Sequence, residues 1–320
     1  MNALKFESCL TKPIERFIEL RQLGGSTYHS QARLLGYLDR FLVEQQWTEP
    51  RLTQPLVEAY EKTLTQLAPR TRANRMCVLR QLCLYLSGSD PLAYVPESVR
   101  SPSSYAAFAP YIYSEREVRD LLAAAARLPG SLIGLTYQTL LGLRYSTGLR
   151  IGEAMALNLD DFHAEDQRLY IAQGKFHKAR WTPLSASTAH ALSQYIDWRE
   201  QSKVQALEPA LLINQRGRRL NHSTVNHTFR NLLQHCQITH EPRPRLHDLR
   251  HTFACHRLLA WYREGKNINA KLVWLATYMG HVNIGSTQVY LQPTAALLQQ
   301  VNDRFHRHYL QHVVNQGVTS

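Results

Sequence analysis

The chain of 320 residues is long enough for two domains with ordinary cores, and 44% of its residues are hydrophobic. No run of apolar residues is long enough to span a membrane, and the N-terminus does not resemble a signal peptide. The five cysteines form no CxxC pair, so we expect reduced thiols in a cytoplasmic protein, not disulfides or a zinc module. The net charge of +12 favours a nucleic-acid partner, although charge alone separates neither DNA from RNA nor an enzyme from a binding protein.

Residues 10–92 are predicted to form a bundle of about four helices. The run "TYHSQARLLGYLDRFLVEQQ" places Leu34, Leu38 and Leu42 at helical spacing, and "TRANRMCVLRQLCLYLSG" stops at Gly88. The last helix has a basic face, which either contacts DNA phosphates or is ordinary solvated surface. Its members are Arg70, Arg72, Arg75 and Arg80.

Residues 93–113 are rich in Pro and Ser and lack a helical period, which predicts a linker. Ser114 and Glu117 then stand in capping-box register and begin a second domain, residues 114–320. Within it, "RLYIAQGKFHKARWTPLS" has two strand-like runs around a turn, while the rest is helical, including the tail "TAALLQQVNDRFHRHYLQHV". The predicted fold class is mainly α with a small β-sheet or hairpin.

Four motifs of the second domain carry residues suited to phosphate chemistry. In "YSTGLRIGEAMALNLDD", Arg150 follows a glycine turn and begins a helix, where a bound anion would offset the helix dipole. In "GKFHKARWTPL", Lys175 and Lys178 lie in the turn between the strands. Each of these residues, considered alone, is equally well explained as an ordinary solvated side chain at the surface.

The other two motifs are "RLHDLRHTFACH" and "MGHVNIGSTQVYLQ". His247 and Arg250 are three residues apart and share one face of a helix. His281 precedes Tyr290 by nine residues, and a turn between them would let both side chains face one phosphate. A lone tyrosine at such a position is ordinarily a packed aromatic, so its meaning depends on the cationic motifs around it.

The ordered series of "TGLRxxE", hairpin lysine, "HxLRH", "GH" and tyrosine resembles the tyrosine recombinase (phage-type integrase) family. The resemblance implies an N-terminal helical core-binding domain and a C-terminal mixed α/β catalytic domain. It makes Tyr290 the nucleophile and Glu153 a structural support. The residues it places around the scissile phosphate are Arg150, Lys175, His247, Arg250 and His281.

Two features depart from the family pattern. Phe176 stands where the hairpin often has a second glycine, which leaves Lys178 as an alternative to Lys175. The segment between Arg250 and His281 is longer than in the shortest family members, as in integrases of transposons and other mobile elements.

The resemblance also implies a reaction and its partners. DNA would be cleaved and rejoined through a 3′-phosphotyrosine and a Holliday junction, with arginines in place of metal ions and without ATP or any cofactor. The partners would be double-stranded DNA carrying specific sites, a homo-tetramer assembled on two such sites, and accessory recombinases or DNA-bending proteins. The C-terminal tail would pack on its own or on a neighbouring protomer.

The sequence alone leaves three other functions to consider. The first is a type IB topoisomerase or a telomere resolvase, which use similar side chains. The second is a non-catalytic DNA-binding protein, in which the cations only position phosphates. The third, a helical metal protein using several of the histidines, is disfavoured because no acidic or cysteine ligands accompany them at the usual spacings.

Overall fold

The computed structural model describes residues 5–98, 110–172 and 179–280. The chain divides into two compact units, Met1–Ala109 and Pro110–Ser320. No helix in the described ranges is long and apolar enough to cross a lipid bilayer.

The described part of the first unit contains four helices: α1 (Thr11–Leu23), α2 (His29–Glu44), α3 (Gln54–Thr63) and α4 (Pro69–Ser87). Proline occupies the first turn of α3 and of α4, where its missing N–H costs nothing. Ile14, Leu42 and Leu82 are fully buried in the core between the helices. The buried Asp39 carboxylate accepts the main-chain N–H groups of the segment before α1, which fixes the entry of the chain. The predicted helical bundle is confirmed.

The second unit contains helices and a small sheet. Its described helices are α5 (Glu115–Ala126), α6 (Ser131–Thr147), α7 (Ile151–Ala156), α8 (Ala186–Gln201), α9 (His222–His235), α10 (Asp248–Arg263) and α11 (Ile268–Met279), with a 3-10 turn at Leu159–Asp161. The strands are β1 (Phe162–His163), β2 (Arg168–Ile171) and β3 (Arg180–Pro183).

The start of α5 is the predicted capping box. Ser114 Oγ accepts the N–H of Glu117 at 3.2 Å, and the Glu117 carboxylate accepts the N–H of Ser114 at 2.7 Å. These two bonds satisfy donors that a helix start otherwise leaves unpaired.

The sheet is antiparallel with the order β1-β2-β3. Leu169 and Ile171 on β2 are buried, with Leu169 paired to Thr182 on β3, so one face of the sheet covers the core. The sequence predicted the two longer strands. β1 has only two residues, which are too few to show the alternation of apolar and polar side chains that indicates a strand.

Two helix ends of the second unit share a backbone conformation that favours glycine. α6 ends at Gly148 with φ of 66°, and α11 ends at Gly280 with φ of 68°. A Cβ on Gly148 would lie 2.5 Å from the ring of Phe253 on α10, so the absence of a side chain lets α10 approach the end of α6. Met279, the last residue of α11, is fully buried in a cluster with Phe253. These contacts bring the ends of α6 and α11 to the start of α10.

Candidate active site

Arg150 is held at the reversal between α6 and α7. Gly148 turns the chain, the fully buried Leu149 anchors it, and Arg150 directly precedes α7. The Glu153 carboxylate accepts the N–H of Arg150 at 2.9 Å and its Nη1 at 2.7 Å, while Nη2 donates to Gly280 O at 3.1 Å. The sequence predicts that an anion binds at this helix start. In the structure, the anionic group in this position is the carboxylate of Glu153.

Arg250, on α10, binds the main chain at the ends of both α6 and α11. It is 1% exposed, and its guanidinium donates to Gly148 O at 2.5 Å and to Met279 O at 2.8 Å. His247 directly precedes α10 with helical dihedral angles, so it lies one turn before Arg250, as its spacing predicts. Carbonyl oxygens orient a guanidinium without neutralising its charge. The structure therefore brings Arg150, His247 and Arg250 together.

Arg180 also belongs to this cluster, although no motif in the sequence predicts it. Both of its Nη atoms donate to the Glu153 carboxylate at 3.1 and 3.0 Å, and its Nε donates to Tyr278 O at 3.2 Å. A Cβ on Gly280 would lie 2.8 Å from Arg180 Nη1, so this glycine also admits the guanidinium. Arg180 thereby connects the sheet to the end of α11. Its only sequence signal is a basic residue at the start of the second strand-like run.

Glu153 is the shared counter-ion of Arg150 and Arg180. Burial by itself would raise the pKa of this carboxyl group. The hydrogen bonds and charge of Arg180, with the bonds from Arg150, reverse that effect and lower the pKa to about 2. Glu153 is therefore ionised at neutral pH and neutralises part of the local positive charge.

His247 is neutral at physiological pH. Although the residue is exposed at the surface, desolvation by the atoms packed around its ring lowers its pKa, and the charges of His251, Arg144, Arg250 and Arg245 lower it further, to about 3. Its ring centroid lies 5.0 Å from that of His251 in an edge-to-face arrangement. A neutral imidazole has a free nitrogen lone pair that can accept a proton.

Two further histidines, His251 and His256, lie on α10. His256 contacts the hydroxyl of Tyr145 on α6 at 3.1 Å, which fits a structural role. His251 instead borders the cluster through its contact with His247, and burial above all lowers its pKa to about 4. Within the described ranges no three His, Cys, Asp or Glu side chains are grouped so that they could hold a metal ion.

Four predicted site residues lie outside the described ranges, and their roles stay predictions: Lys175, Lys178, His281 and Tyr290. The predicted C-terminal tail lies outside them as well. Gly280, which receives a hydrogen bond from Arg150, immediately precedes His281 in the chain.

The basic face of α4 is only partly open to an external anion. Arg72 pairs with Glu61 at 2.7 Å, and the guanidinium of Arg75 lies 3.9 Å from the ring centroid of Tyr37. Cation–π stacking leaves the edges of a guanidinium available, whereas the Arg72 ion pair competes with a phosphate. The other two predicted members are exposed or half-buried: Arg70 and Arg80.

Comparisons with known proteins identify the family of the chain. The sequence model of the phage integrase family matches residues 112–296. The chain is 32% identical over 311 residues to the putative integrase/recombinase y4rB of Sinorhizobium fredii, covering 94% of this chain and 98% of that protein. It is 29% identical over 310 residues to the tyrosine recombinase XerC of Myxococcus xanthus, covering 93% and 98%.

Solved structures of the same kind share the fold. The integrase of transposon Tn1549, in complex with transposon right-end DNA, matches with a TM-score of 0.64 at 16% identity, covering 93% of this chain and 99% of that one. The XerH site-specific recombinase, bound to its palindromic difH substrate, matches with a TM-score of 0.61 at 19% identity, covering 81% and 74%.

The chain belongs to the phage integrase family, and the two relatives named above are a putative integrase/recombinase and a tyrosine recombinase. It is an enzyme of site-specific DNA recombination. The resemblance drawn from the motifs and the predicted fold class, mainly helical with a small sheet, are both confirmed.

Proposed function

We propose that this recombinase cleaves and rejoins DNA through a 3′-phosphotyrosine at Tyr290, with the scissile phosphate bound by Arg150 and Arg250. The observation that carries the proposal is that both guanidinium groups are fixed by the glycine-ended reversals of α6 and α11, at Gly148 and Gly280. Residue 281 follows directly, and Tyr290 stands nine positions later.

The arginines would act by electrostatic stabilisation. A tyrosine hydroxyl, with an ordinary pKa of about 10, is a weak nucleophile at neutral pH. Two guanidinium groups held in place before the substrate arrives would stabilise both the phenolate and the extra negative charge on the non-bridging oxygens. His281 would supply a further donor. These cations take the place that divalent ions have in two-metal nucleases.

Proton transfer completes the reaction. Tyr290 Oη attacks phosphorus and gives its proton to His247, while the bond from phosphorus to the 5′-oxygen breaks and Lys175 protonates the leaving oxygen. The neutral state of His247 supports its role as acceptor, and a bound phosphate anion raises the pKa of the imidazole towards neutrality. The phosphotyrosine keeps the energy of the broken bond, so a 5′-hydroxyl rejoins the strand by the reverse steps. Lys178 is the second candidate for the lysine role.

The proposal extends to assembly. Residues 10–92 would bind DNA through the basic face of α4, and residues 114–320 would hold the catalytic site, with residues 93–113 joining them. Four protomers on two DNA sites would exchange strands in pairs through a Holliday junction in the bacterial cytoplasm. Accessory recombinases or DNA-bending proteins would assist, and a mobile element is the proposed carrier.

The test is covalent trapping on a nicked duplex. The recombination site is first selected by binding to fragments of the DNA that flanks the coding region, and a nick beside the cleavage position prevents rejoining. We expect a protein–DNA adduct that survives denaturant and chelator and disappears in Tyr290→Phe. Tyr170→Phe, which alters a half-buried tyrosine of the sheet, is the matched control and keeps the adduct.

The same assay separates the alternatives. DNA binding without any adduct would overturn the proposal in favour of a binding protein, and an adduct in Tyr290→Phe would assign another nucleophile. Relaxation of an arbitrary supercoiled plasmid at a comparable rate would favour a topoisomerase. Lys175→Ala is expected to slow adduct formation more than Lys178→Ala. The reverse order would assign to Lys178 the role of general acid for the leaving 5′-oxygen.

A further inference from the structure

A second fully buried arginine, Arg144, lies behind the candidate site on α6. It is 0% exposed, and its Nε donates to Leu149 O at 3.2 Å while its Nη1 donates to Leu246 O at 2.8 Å. Its Nη2 has no hydrogen-bond partner among the described residues. The two accepting residues directly precede Arg150 and His247.

The charges around Arg144 make its burial costly. Desolvation lowers its pKa, the neighbouring positive charge of Arg250 lowers it further, and Tyr113, Asp248 and Glu153 oppose these effects, so that it settles at about 9. An apolar side chain of similar volume would fill this space without removing a charge from water. Core packing alone therefore does not explain an arginine at this position.

We propose that Arg144 is a positioning residue of the recombination site, which ties the segment carrying Arg150 to the segment carrying His247 and places a fixed positive charge behind both. The inference rests on the roles proposed for these two residues. Arg144 reaches segments about a hundred positions apart in the chain with one rigid group, since the planar guanidinium fixes the directions of its N–H bonds.

The positioning has a geometric consequence and an electrostatic one. The carbonyls of Leu149 and Leu246 are held to one guanidinium, so Arg150 and His247 cannot separate without breaking one of these bonds. The charge of Arg144 also acts on His247, together with His251, Arg250 and Arg245. The charge of Asp248 acts on the neighbouring His251 ring. Removal of that charge favours protonation of the His247 ring.

The experiment compares Arg144→Met, Arg144→Lys and a control, Arg199→Met. Arg199 on α8 is also buried, at 5% exposed, and within the described ranges no hydrogen bond or ion pair joins its side chain to Arg150, His247 or Arg250. Its variant therefore reports the loss of a buried arginine elsewhere in the same unit. Two quantities are measured in the full chain. One is the titration of the His247 ring by NMR with labelled histidine, assigned by its disappearance in His247→Asn; the other is the rate of adduct formation against pH.

In Arg144→Met we expect the titration midpoint of His247 to rise by about one pH unit, because one nearby positive charge is gone. We expect adduct formation to slow by about tenfold or more, since a small displacement of either segment misaligns the site. Arg144→Lys keeps the charge, so its midpoint stays near that of the wild type and part of the rate returns. Arg199→Met leaves both quantities unchanged.

Two results would overturn the inference: an unchanged His247 midpoint in Arg144→Met, or a loss of rate no greater than in Arg199→Met. If Arg144→Met does not fold, Arg144→Lys provides the test. The proposal predicts that the His247 midpoint in Arg144→Lys stays near that of the wild type, and a rise of about one pH unit would contradict it. A wild-type protein without any adduct would refute the proposed function, and the titration alone would then test Arg144.

Discussion

Glu153 is buried between two arginine side chains, Arg150 and Arg180, with its own side chain only 3% exposed. The carboxylate thereby links the start of α7 to the start of β3. Because it binds four N–H groups at once, it restricts the direction in which Arg150 points. At the scale of single residues, the geometry of the cationic cluster thus depends on an anion.

Glu153→Gln is expected to destabilise the protein by about 2 kcal/mol at pH 7, less than the full pKa shift implies because Arg150 is partly hydrated. A carboxyl group with a lower pKa in the folded state stabilises the fold above its unfolded pKa, near 4.5, and loses this effect as pH falls towards 2. The difference in unfolding free energy between wild type and Glu153→Gln should therefore shrink between pH 5 and pH 2. Urea denaturation across this range measures it.

Glu165→Gln is the matched control, since Glu165 is exposed in the turn between β1 and β2. Its unfolding free energy should follow that of the wild type at every pH. A Glu153→Gln protein with the same pH dependence as the wild type would show that the ion pairs contribute no net stability.

At the scale of elements, the site depends on the two chain reversals that end α6 and α11. Gly148 and Gly280 both adopt positive φ, and the carbonyls of residues 148, 279 and 280 accept the hydrogen bonds of the two arginines. The helix ends therefore do more than terminate helices, because their main chain orients the groups proposed to bind phosphate.

Gly148→Ala should destabilise the protein by about 2 kcal/mol or more, because positive φ disfavours a side chain and the new Cβ would meet Phe253 at 2.5 Å. Displacement of Phe253 also moves Arg250, three residues earlier on α10, so adduct formation should fall even at a temperature where the variant is folded. Thermal denaturation and the trapping assay measure the two effects.

Gly152→Ala provides the comparison. Gly152 lies in α7 with open space where a Cβ would stand, so alanine should leave the stability unchanged or slightly raised. Equal stability of the Gly148 and Gly152 variants would contradict the packing described for the end of α6.

The sequence predicted these elements well but their mutual contacts poorly. Helical periodicity and the capping box at Ser114 identify helices because both signals are local. Arg180 and Arg144 carry no such signal, since their roles arise from contacts with residues that are distant in the chain. Arg150, His247 and Arg250 were predicted only because an ordered set of motifs resembles a family, while spacing alone left each of them open.

At the scale of the whole molecule, the net charge of +12 and the cluster of cations serve different purposes. The overall charge attracts DNA of any sequence through its phosphates. The cluster in the second unit is instead organised by main-chain carbonyls and one buried carboxylate, which suits the proposed binding of a single phosphate. We propose that this site serves the attack of Tyr290.

The most direct test is to map the trapped adduct. After nuclease and trypsin digestion, residues 272–304 form one peptide that contains two tyrosines, Tyr278 and Tyr290. The Tyr278 hydroxyl donates to Pro183 O at 2.9 Å, and burial raises its pKa to about 12, so it should stay unmodified. Fragmentation by mass spectrometry should place a 3′-linked nucleotide on Tyr290. A nucleotide on Tyr278 or on any other residue would contradict the account.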